Sequence, residues 1–597
     1  MGRRTIKTHE KPLICLSKIT ARSERRGINN SEMHKFILTL CAGLCLTGVR
    51  ASEPPKEGAA VKYAVYFKDK ADSPFSTADP AKFLSERAIA RREKAGIAVN
   101  ESDLPVNPAY TKQVTDLGFR YYAKANWSNY IIVGADNDKL LDKLKALPCV
   151  KKVEEVYNRK STQKDILSIL MDQMENKEAK MQKGDNLQSL PYLDYGSSFN
   201  QVNMLGVDYM HDKGYRGKGI IIAVLDGGFF KVDELAPFAS LRENHQILGT
   251  WDFVMNDPYV YEDISHGMSV LSCMAGIKQG ALIGTGPDAQ FFLLRSEDAA
   301  SETLVEEYNW EAAAVWADSA GADIINSSLG YTQFDNGIGS HTYADMNGKT
   351  TVVTRAADMA ASKGILVVNS AGNEGASMWH YIGAPADGDS VLAIGAVNKD
   401  RKIAAFSSRG PSSDGRTKPN VCAQGEGTWL CTSSGSIAPA NGTSFSGPLI
   451  AGAAACLWQA NPDKTNMQIF DAIQRSANRY NSPNDDYGYG IPNFGYADLI
   501  LKNQNSDTYY KDQKPLVYPN PVRDDEIFMD FFSLTDGNID IRVSDLNGKT
   551  VAEKQQAVYK QTLSRLNVKF TSTLAAGTYV ATVMQGKTRF SVKFIKQ

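Results

Sequence analysis

Cysteine is scarce, with eight in 597 residues. So thin a set excludes a small disulfide-built scaffold, and three of the eight, Cys15, Cys41 and Cys45, fall in the leader region described below. Cys422 and Cys431 are near enough in sequence to bridge a loop or to remain two buried thiols, and the sequence leaves both open. Charge of one sign is missing too, because 66 Lys and Arg meet 67 Asp and Glu. That balance gives no reason to expect nucleic acid or an anionic membrane surface as a partner. No stretch reaches the roughly 20 apolar residues that a membrane helix needs. Histidine is rare, and His211, His245, His341 and His380 lack metal-ligand spacing with one another. They receive no role, and no metal-binding residues are assigned.

What is present begins with Met33-His34-Lys35 ahead of the apolar run Phe36–Gly48. Val49-Arg50-Ala51 and then Ser52 place small residues where a signal peptidase cuts, so residues 33–51 read as a secretory signal. The basic, polar stretch 1–32 has no place ahead of such a signal, and translation is expected to start at Met33. A chain of this length holds about two to four folded units.

Three textures follow. Residues 61–156 alternate strand patterns (Val61–Phe67, Phe119–Ala123, Tyr130–Gly134, Val150–Val156) with helical ones (Ala81–Ala95, Asn137–Leu147), predicting a small α+β unit with two helices on one sheet. Residues 157–196 read as an exposed linker open to proteolysis. From 197 to 503 unbroken apolar runs recur at Gly219–Asp226, Phe291–Leu294, Asp323–Ser327, Ile365–Asn369 and Val391–Val397, with helical stretches Leu304–Ala320 and Thr351–Ser362 between them. Runs without alternation are strands buried on both faces, so this is an α/β domain with a doubly wound parallel sheet. Ligands bind beyond the carboxyl ends of such strands. After a short linker, 504–514, residues 515–597 turn to short alternating strands. Asp545-Leu546-Asn547-Gly548 is a hairpin signal, Gln585-Gly586 and Ala576-Gly577 mark further turns, and an all-β sandwich follows.

Asn441-Gly442-Thr443-Ser444-Phe445-Ser446-Gly447-Pro448 leads into the small and apolar run Leu449–Trp458. This reads as a loop feeding a core helix, with Ser444 at its amino end and Pro448 in its first turn, where proline is tolerated. Such a serine either caps the helix or sits where free N–H groups and the helix dipole stabilise an oxyanion. Two further residues decide between these. Asp226 ends a predicted strand, and His266 lies in Ser265-His266-Gly267-Met268-Ser269. A nucleophilic serine needs a base, and the base needs a carboxylate to hold its tautomer. Asn373, in Ser370-Ala371-Gly372-Asn373-Glu374-Gly375 directly after a buried run, supplies an oxyanion donor; the plain alternative is an Asn-Gly turn. Asn441-Gly442-Thr443 also fits a glycosylation acceptor, but a glycan there would block the serine.

Val224-Leu225-Asp226-Gly227, His266-Gly267, Asn326-Ser327-Ser328-Leu329-Gly330, Ala371-Gly372-Asn373-Glu374-Gly375, Phe406-Ser407-Ser408-Arg409-Gly410, Gly442-Thr443-Ser444 and Tyr487-Gly488-Tyr489-Gly490 occur in that order. In these motifs the domain resembles the subtilisin-like serine endopeptidases, the subtilases. The resemblance implies a triad of Asp226, His266 and Ser444, an oxyanion hole at Asn373, and a substrate-binding surface that includes Ser328, Leu329, Gly330, Gly372, Gly375 and Gly383. It implies a secreted endopeptidase acting on protein or peptide substrates through an acyl-enzyme at Ser444. It also implies that 61–156 is a propeptide, inhibitor and folding aid of its own enzyme, cut off by it. Gly227, Met268, Ser269 and Gln424 depart from the residues common in the family, at positions that support the triad and are not part of it. Val517-Tyr518-Pro519-Asn520-Pro521-Val522, Asp545-Leu546-Asn547-Gly548-Lys549 and Leu574-Ala575-Ala576-Gly577-Thr578-Tyr579-Val580 resemble the sorting domain of the type IX secretion system. That implies passage through the periplasm of a Gram-negative bacterium and release or surface attachment. No cofactor is required; Asp257, Glu262 and Asp263 are candidates for a structural calcium, against the preferred reading of a solvated acidic loop. A catalytically silent binding protein on the same fold is the alternative, and the complete set Asp226, His266, Ser444 and Asn373 argues against it. The selectivity pocket, between Gly372–Gly375 and Ile382–Ala386, has small residues and no acid placed for Lys or Arg.

Overall fold

The computed structural model describes residues 59–159, 193–502 and 516–597, apart from 263, 519, 523, 524, 534, 561 and 571–573. The upstream stretch 1–32, the expected signal 33–51, most of the linker 157–196 and the linker 504–514 lie outside the described residues. Among the described residues no helix is long and apolar enough to cross a membrane.

The first unit is a four-stranded antiparallel sheet of β1 (Val61–Phe67), β2 (Arg120–Ala125), β3 (Tyr130–Ala135) and β4 (Val150–Asn158), in the order β2-β3-β1-β4. Alternation along β1 and β3 divides its two faces. Tyr63, Val65, Ile131 and Val133 pack with Val114 and Leu144 of its own helices. Ala64, Tyr122, Tyr130 and Ile132 instead join Tyr308, Trp310 and Ala313 of the next unit.

Three helical details differ from the sequence reading. The expected helix Ala81–Ala95 breaks: a 3-10 turn covers Pro80–Lys82, and the α-helix Glu86–Ala95 starts after Ser85, whose side chain accepts from Ala88 N–H. Asn137–Leu147 is a 3-10 turn, Asp138–Leu140, followed by only Leu141–Lys145 in α-helix. A helix that the reading passed over, Pro108–Thr115, carries a legible start signal, Asn107 as cap and proline in its first turn.

The central unit has a seven-stranded parallel sheet. Its strands are β5 (Ile221–Asp226), β6 (Ile247–Asp252), β7 (Gln290–Arg295), β8 (Ile324–Ser327), β9 (Leu366–Ser370), β10 (Val391–Val397) and β11 (Val421–Gln424). Their order is β11-β10-β9-β8-β5-β7-β6. Ile222 and Val224 face a layer built on the helices His266–Ala275 and Thr443–Ala460, while Ile221, Ala223 and Leu225 face the helices Val305–Ala320 and Val352–Ser362. Both faces are covered, which is why β5 is apolar throughout. β6 and β11 escaped the sequence reading because β6 is a half-buried edge with Gly249 and Thr250, and β11 is only Val-Cys-Ala-Gln. Cys422 and Cys431 are free, buried thiols, as are Cys149, Cys273 and Cys456.

The last unit is a sandwich of a three-stranded sheet (Leu516–Tyr518, Glu526–Ser533, Thr562–Lys569) and a four-stranded one (Gly537–Asp545, Thr550–Val558, Gly577–Gln585, Thr588–Lys596). The expected Asn-Gly hairpin joins two strands of the latter, with Gly548 at φ 85°. Phe532 and Leu563 of the sandwich reach the central core, where the Phe532 and Tyr496 rings lie 4.9 Å apart.

Candidate active site

Asp226 is the last residue of β5 and is fully buried. Its Oδ1 accepts from Gly227 N–H at 2.8 Å and is 2.8 Å from His266 Nδ1. That pairing leaves Nε2 as the ring nitrogen free to act as a base. Burial pulls the imidazole down, but the charge and hydrogen bond of Asp226, with a contribution from Glu297, outweigh it and leave His266 above its ordinary value. The contact depends on Gly267, the second residue of the helix His266–Ala275. A Cβ there would come 2.4 Å from Gly228 O and 2.9 Å from Asp226 Cβ.

Ser444 is the second residue of the helix Thr443–Ala460, buried without interruption from Thr443 to Trp458. Its cap residue, Gly442, has φ 153° and offers no side-chain acceptor to the first turn. Of the first N–H groups, Thr443 donates to Asn373 Oδ1 at 2.9 Å and Phe445 to Gly442 O at 3.1 Å, while Ser444 N–H has no acceptor within the helix. Pro448 is in the second turn, not the first as expected. A proline inside a helix removes the bond to the carbonyl four residues earlier, which here belongs to Ser444. Ser328 Oγ donates to that carbonyl at 2.9 Å, so the vacancy is filled by the neighbouring strand end. Ser444 Oγ is turned toward Ser328 O, 3.5 Å away, and the Phe445 ring lies tilted over His266 at 6.0 Å.

Asn373 follows β9 and is exposed. Its Oδ1 accepts from Thr443 N–H at 2.9 Å and from Thr443 Oγ1 at 3.0 Å. Two donors on one oxygen fix the amide, placing its nitrogen on the opposite side. Thr443 Oγ1 also accepts from Gly372 N–H at 3.2 Å, and Ser370 Oγ donates to Thr443 O at 2.8 Å. The start of the serine helix is thereby stitched to the end of β9. Gly372, at φ 109°, passes Ser408 so closely that a Cβ would lie 2.8 Å from its Oγ. A Cβ on Gly375 would meet Ser407 O at 2.0 Å, and one on Gly383 would lie 3.1 Å from Thr332 Cγ2. Leu329 O accepts from Asn369 Nδ2 at 3.0 Å, and a Cβ on Gly330 would rest in ordinary contact with Ala384 O at 4.0 Å.

The departures from the common pattern have local partners. A side chain at 227 would press on Ile264 Cδ1, 2.6 Å from the Cβ position. Ser269 Oγ donates to Cys431 O at 2.8 Å, and Gln424 joins Asn200 at 2.6 Å to Gly427 O at 2.9 Å. Asp257 receives Tyr259 N–H at 2.8 Å; Asp263 lies outside the described residues. His211 is enclosed between Tyr195 OH (2.9 Å) and Thr285 O (3.0 Å), and burial pushes it down to about 4. Sequence reasoning missed Glu297, two residues past β7, whose Oε1 accepts from Tyr331 OH at 2.7 Å and Ser296 Oγ at 2.8 Å. Its signal was present, since an acid two residues past a buried strand lies near the ligand-binding edge of the sheet.

The first unit covers the opposite layer. Asp318 of the helix Val305–Ala320 is buried and pairs with Arg91, and with Arg92 at 2.7 Å; Arg92 also reaches Asp103 at 3.0 Å, and Asp103 is 2.9 Å from Lys363.

A parallel α/β sheet whose carboxyl edge gathers a carboxylate-held histidine and a serine at a glycine-led helix start defines the class, a hydrolase of the serine type. The chain belongs to the Subtilase family, which matches residues 217–490. Residues 62–168 match the peptidase S8 propeptide domain of Bacteroidota, and 516–597 the secretion system C-terminal sorting domain. Subtilisin E of Bacillus subtilis (strain 168) is 31% identical over 310 residues, covering 51% of this chain and 70% of its own. Subtilisin of Bacillus pumilus is 31% identical over 310 residues, covering 51% of this chain and 98% of its own. The crystal structure of MycP1 from Mycobacterium smegmatis is similar at 20% identity and a TM-score of 0.40, over 52% of this chain and 86% of that one. The chain is a serine protease with its own propeptide domain and an export sorting domain.

Proposed function

We propose that this protease is a self-processing endopeptidase working through an acyl-enzyme on Ser444. The observation that carries the reading is the 2.8 Å Asp226–His266 contact beside a serine at a helix start whose cap residue is glycine. Rotation about χ1 turns Ser444 Oγ from Ser328 O toward His266 Nε2, which takes its proton as Oγ attacks the scissile carbonyl. The Asn373 amide nitrogen and the Ser444 backbone N–H receive the developing oxyanion. His266 then protonates the leaving amine, and water returns the enzyme through the same steps. An extended peptide pairs by backbone hydrogen bonds with Ser328–Leu329–Gly330.

The 61–156 unit is the enzyme's inhibitor until the linker 157–196 is cut. The sorting domain hands the zymogen to the type IX machinery in the periplasm, for release or surface attachment. Catalysis requires no cofactor in this reading, and Asp257 and Glu262 belong to a solvated acidic loop, with a structural calcium there as the lesser alternative. The test compares wild type with Ser444→Ala, purified as full chains, for release of the pro-region and digestion of an unfolded protein. Wild type is expected to do both and the variant neither; a variant that matures and digests at the wild-type rate refutes the assignment.

A further inference from the structure

Glu297 stands where three parts of the site meet. β7 pairs in register with β5 so that Arg295 lies beside Asp226, and Ser296 N–H donates to Asp226 O at 3.0 Å. The next residue is therefore held against Gly227: a Cβ built there would be 3.6 Å from Glu297 Cβ. From the other side Tyr331 OH donates to Glu297 Oε1 at 2.7 Å. Tyr331 directly follows the Ser328–Gly330 edge, and its own N–H donates to Ala384 O at 2.8 Å. Tyr331 thus joins the substrate edge by chain connectivity, the Gly383–Ala384 wall by its backbone N–H and the strand end that carries Asp226 by its phenol.

We propose that Glu297 is a positioning residue of this active site, tying Tyr331 and the Ser328–Gly330 edge to the Asp226 strand and standing as a second carboxyl beside the Asp226–His266 pair. The inference rests on the serine-protease mechanism above. The carboxyl is only partly exposed. Burial raises it first, the hydrogen bonds from Tyr331 and Ser296 oppose that, the charge of Asp226 adds to it and that of Arg295 opposes it, leaving it at about 7. The other charged groups around it are Glu302 and Glu306, which act on the same Tyr331, and His266, which Glu297 raises. When ionised, Glu297 favours the imidazolium. A base must be neutral to accept a proton, so this charge moves the acid limb of activity upward.

The test uses enzyme matured from the full chain. Glu297→Gln keeps an acceptor for Tyr331 and removes the charge; Tyr331→Phe keeps the charge and removes the tie. Rates against pH are read with a single-residue ester and an extended peptide, beside thermal melts. In Glu297→Gln the acid limb of kcat/KM is expected to move to lower pH by a few tenths of a unit or more, at a near wild-type Tm. In Tyr331→Phe, KM for the extended peptide is expected to rise severalfold while that for the ester stays. A wild-type limb in a folded Glu297→Gln, or a wild-type KM in Tyr331→Phe, overturns the proposal. If Glu297→Gln does not mature, Tyr331→Phe decides alone. An inactive wild type would instead refute the mechanism at Ser444, a separate failure.

Discussion

At the scale of single residues, the site depends on atoms that are absent as much as on atoms that are present. Gly267 lets the His266 helix approach Asp226, since a Cβ would come 2.4 Å from Gly228 O, which is backbone and cannot step aside. Gly267→Ala is expected to lower Tm and to break the Asp226–His266 contact, read as loss of kcat in the fraction that still folds. Asn373 has its oxygen occupied by Thr443. Asn373→Ala is therefore expected to cost a hundredfold or more in kcat, on the order known for loss of one oxyanion donor, with KM little changed. Asp226, His266, Ser444 and Asn373 were legible in the sequence because each sits in a short motif whose neighbours are constrained by close packing. Glu297 was not, because its role arises from register between β5 and β7 and from a tyrosine that the chain brings in later.

Among the elements, the serine helix is organised around a proline that a local reading misplaces. Pro448 reads naturally as a first-turn residue, yet the helix begins at Thr443, because Asn373 and Ser370 hold that residue from the neighbouring strand end. The bond lost at Pro448 is replaced by Ser328 Oγ. Ser328→Ala leaves the Ser444 carbonyl without this donor and is expected to destabilise the enzyme by about 1–3 kcal/mol, measured by denaturant unfolding. The buried strands β5, β7, β8, β9 and β10 were legible as unbroken apolar runs. β6 and β11 were not, since edge position and brevity erase that signal. The Glu86–Ala95 helix buries Arg91 and Arg92 against Asp318. Removing one partner leaves buried charge behind, at a cost of about 3–5 kcal/mol. Asp318→Ala is thus expected to weaken inhibition by the separately added pro-region by a hundredfold or more; an unchanged inhibition constant would deny that this contact holds the two units together.

For the whole molecule, the covering of one layer of the protease by its propeptide unit carries a pH dependence. Glu311 lies beneath the Ser128–Tyr130 turn, where burial pushes its carboxyl up to about 7. Once uncovered, it returns toward the ordinary carboxylate range, so docking takes up a proton. Inhibition by the pro-region is therefore expected to be tightest below that ordinary range and to weaken as pH rises toward about 7, by at most about tenfold per unit for one group, and then to level off. Glu311→Gln should flatten the dependence. The central claim is that Ser444, activated by His266, is the nucleophile. Its most direct measurement is reaction of the matured enzyme with a fluorophosphonate, followed by peptide mass spectrometry. The predicted result is one adduct, on Ser444, formed in step with loss of proteolysis and absent in His266→Ala. An adduct on another residue, or full proteolysis with Ser444 modified, would contradict the account.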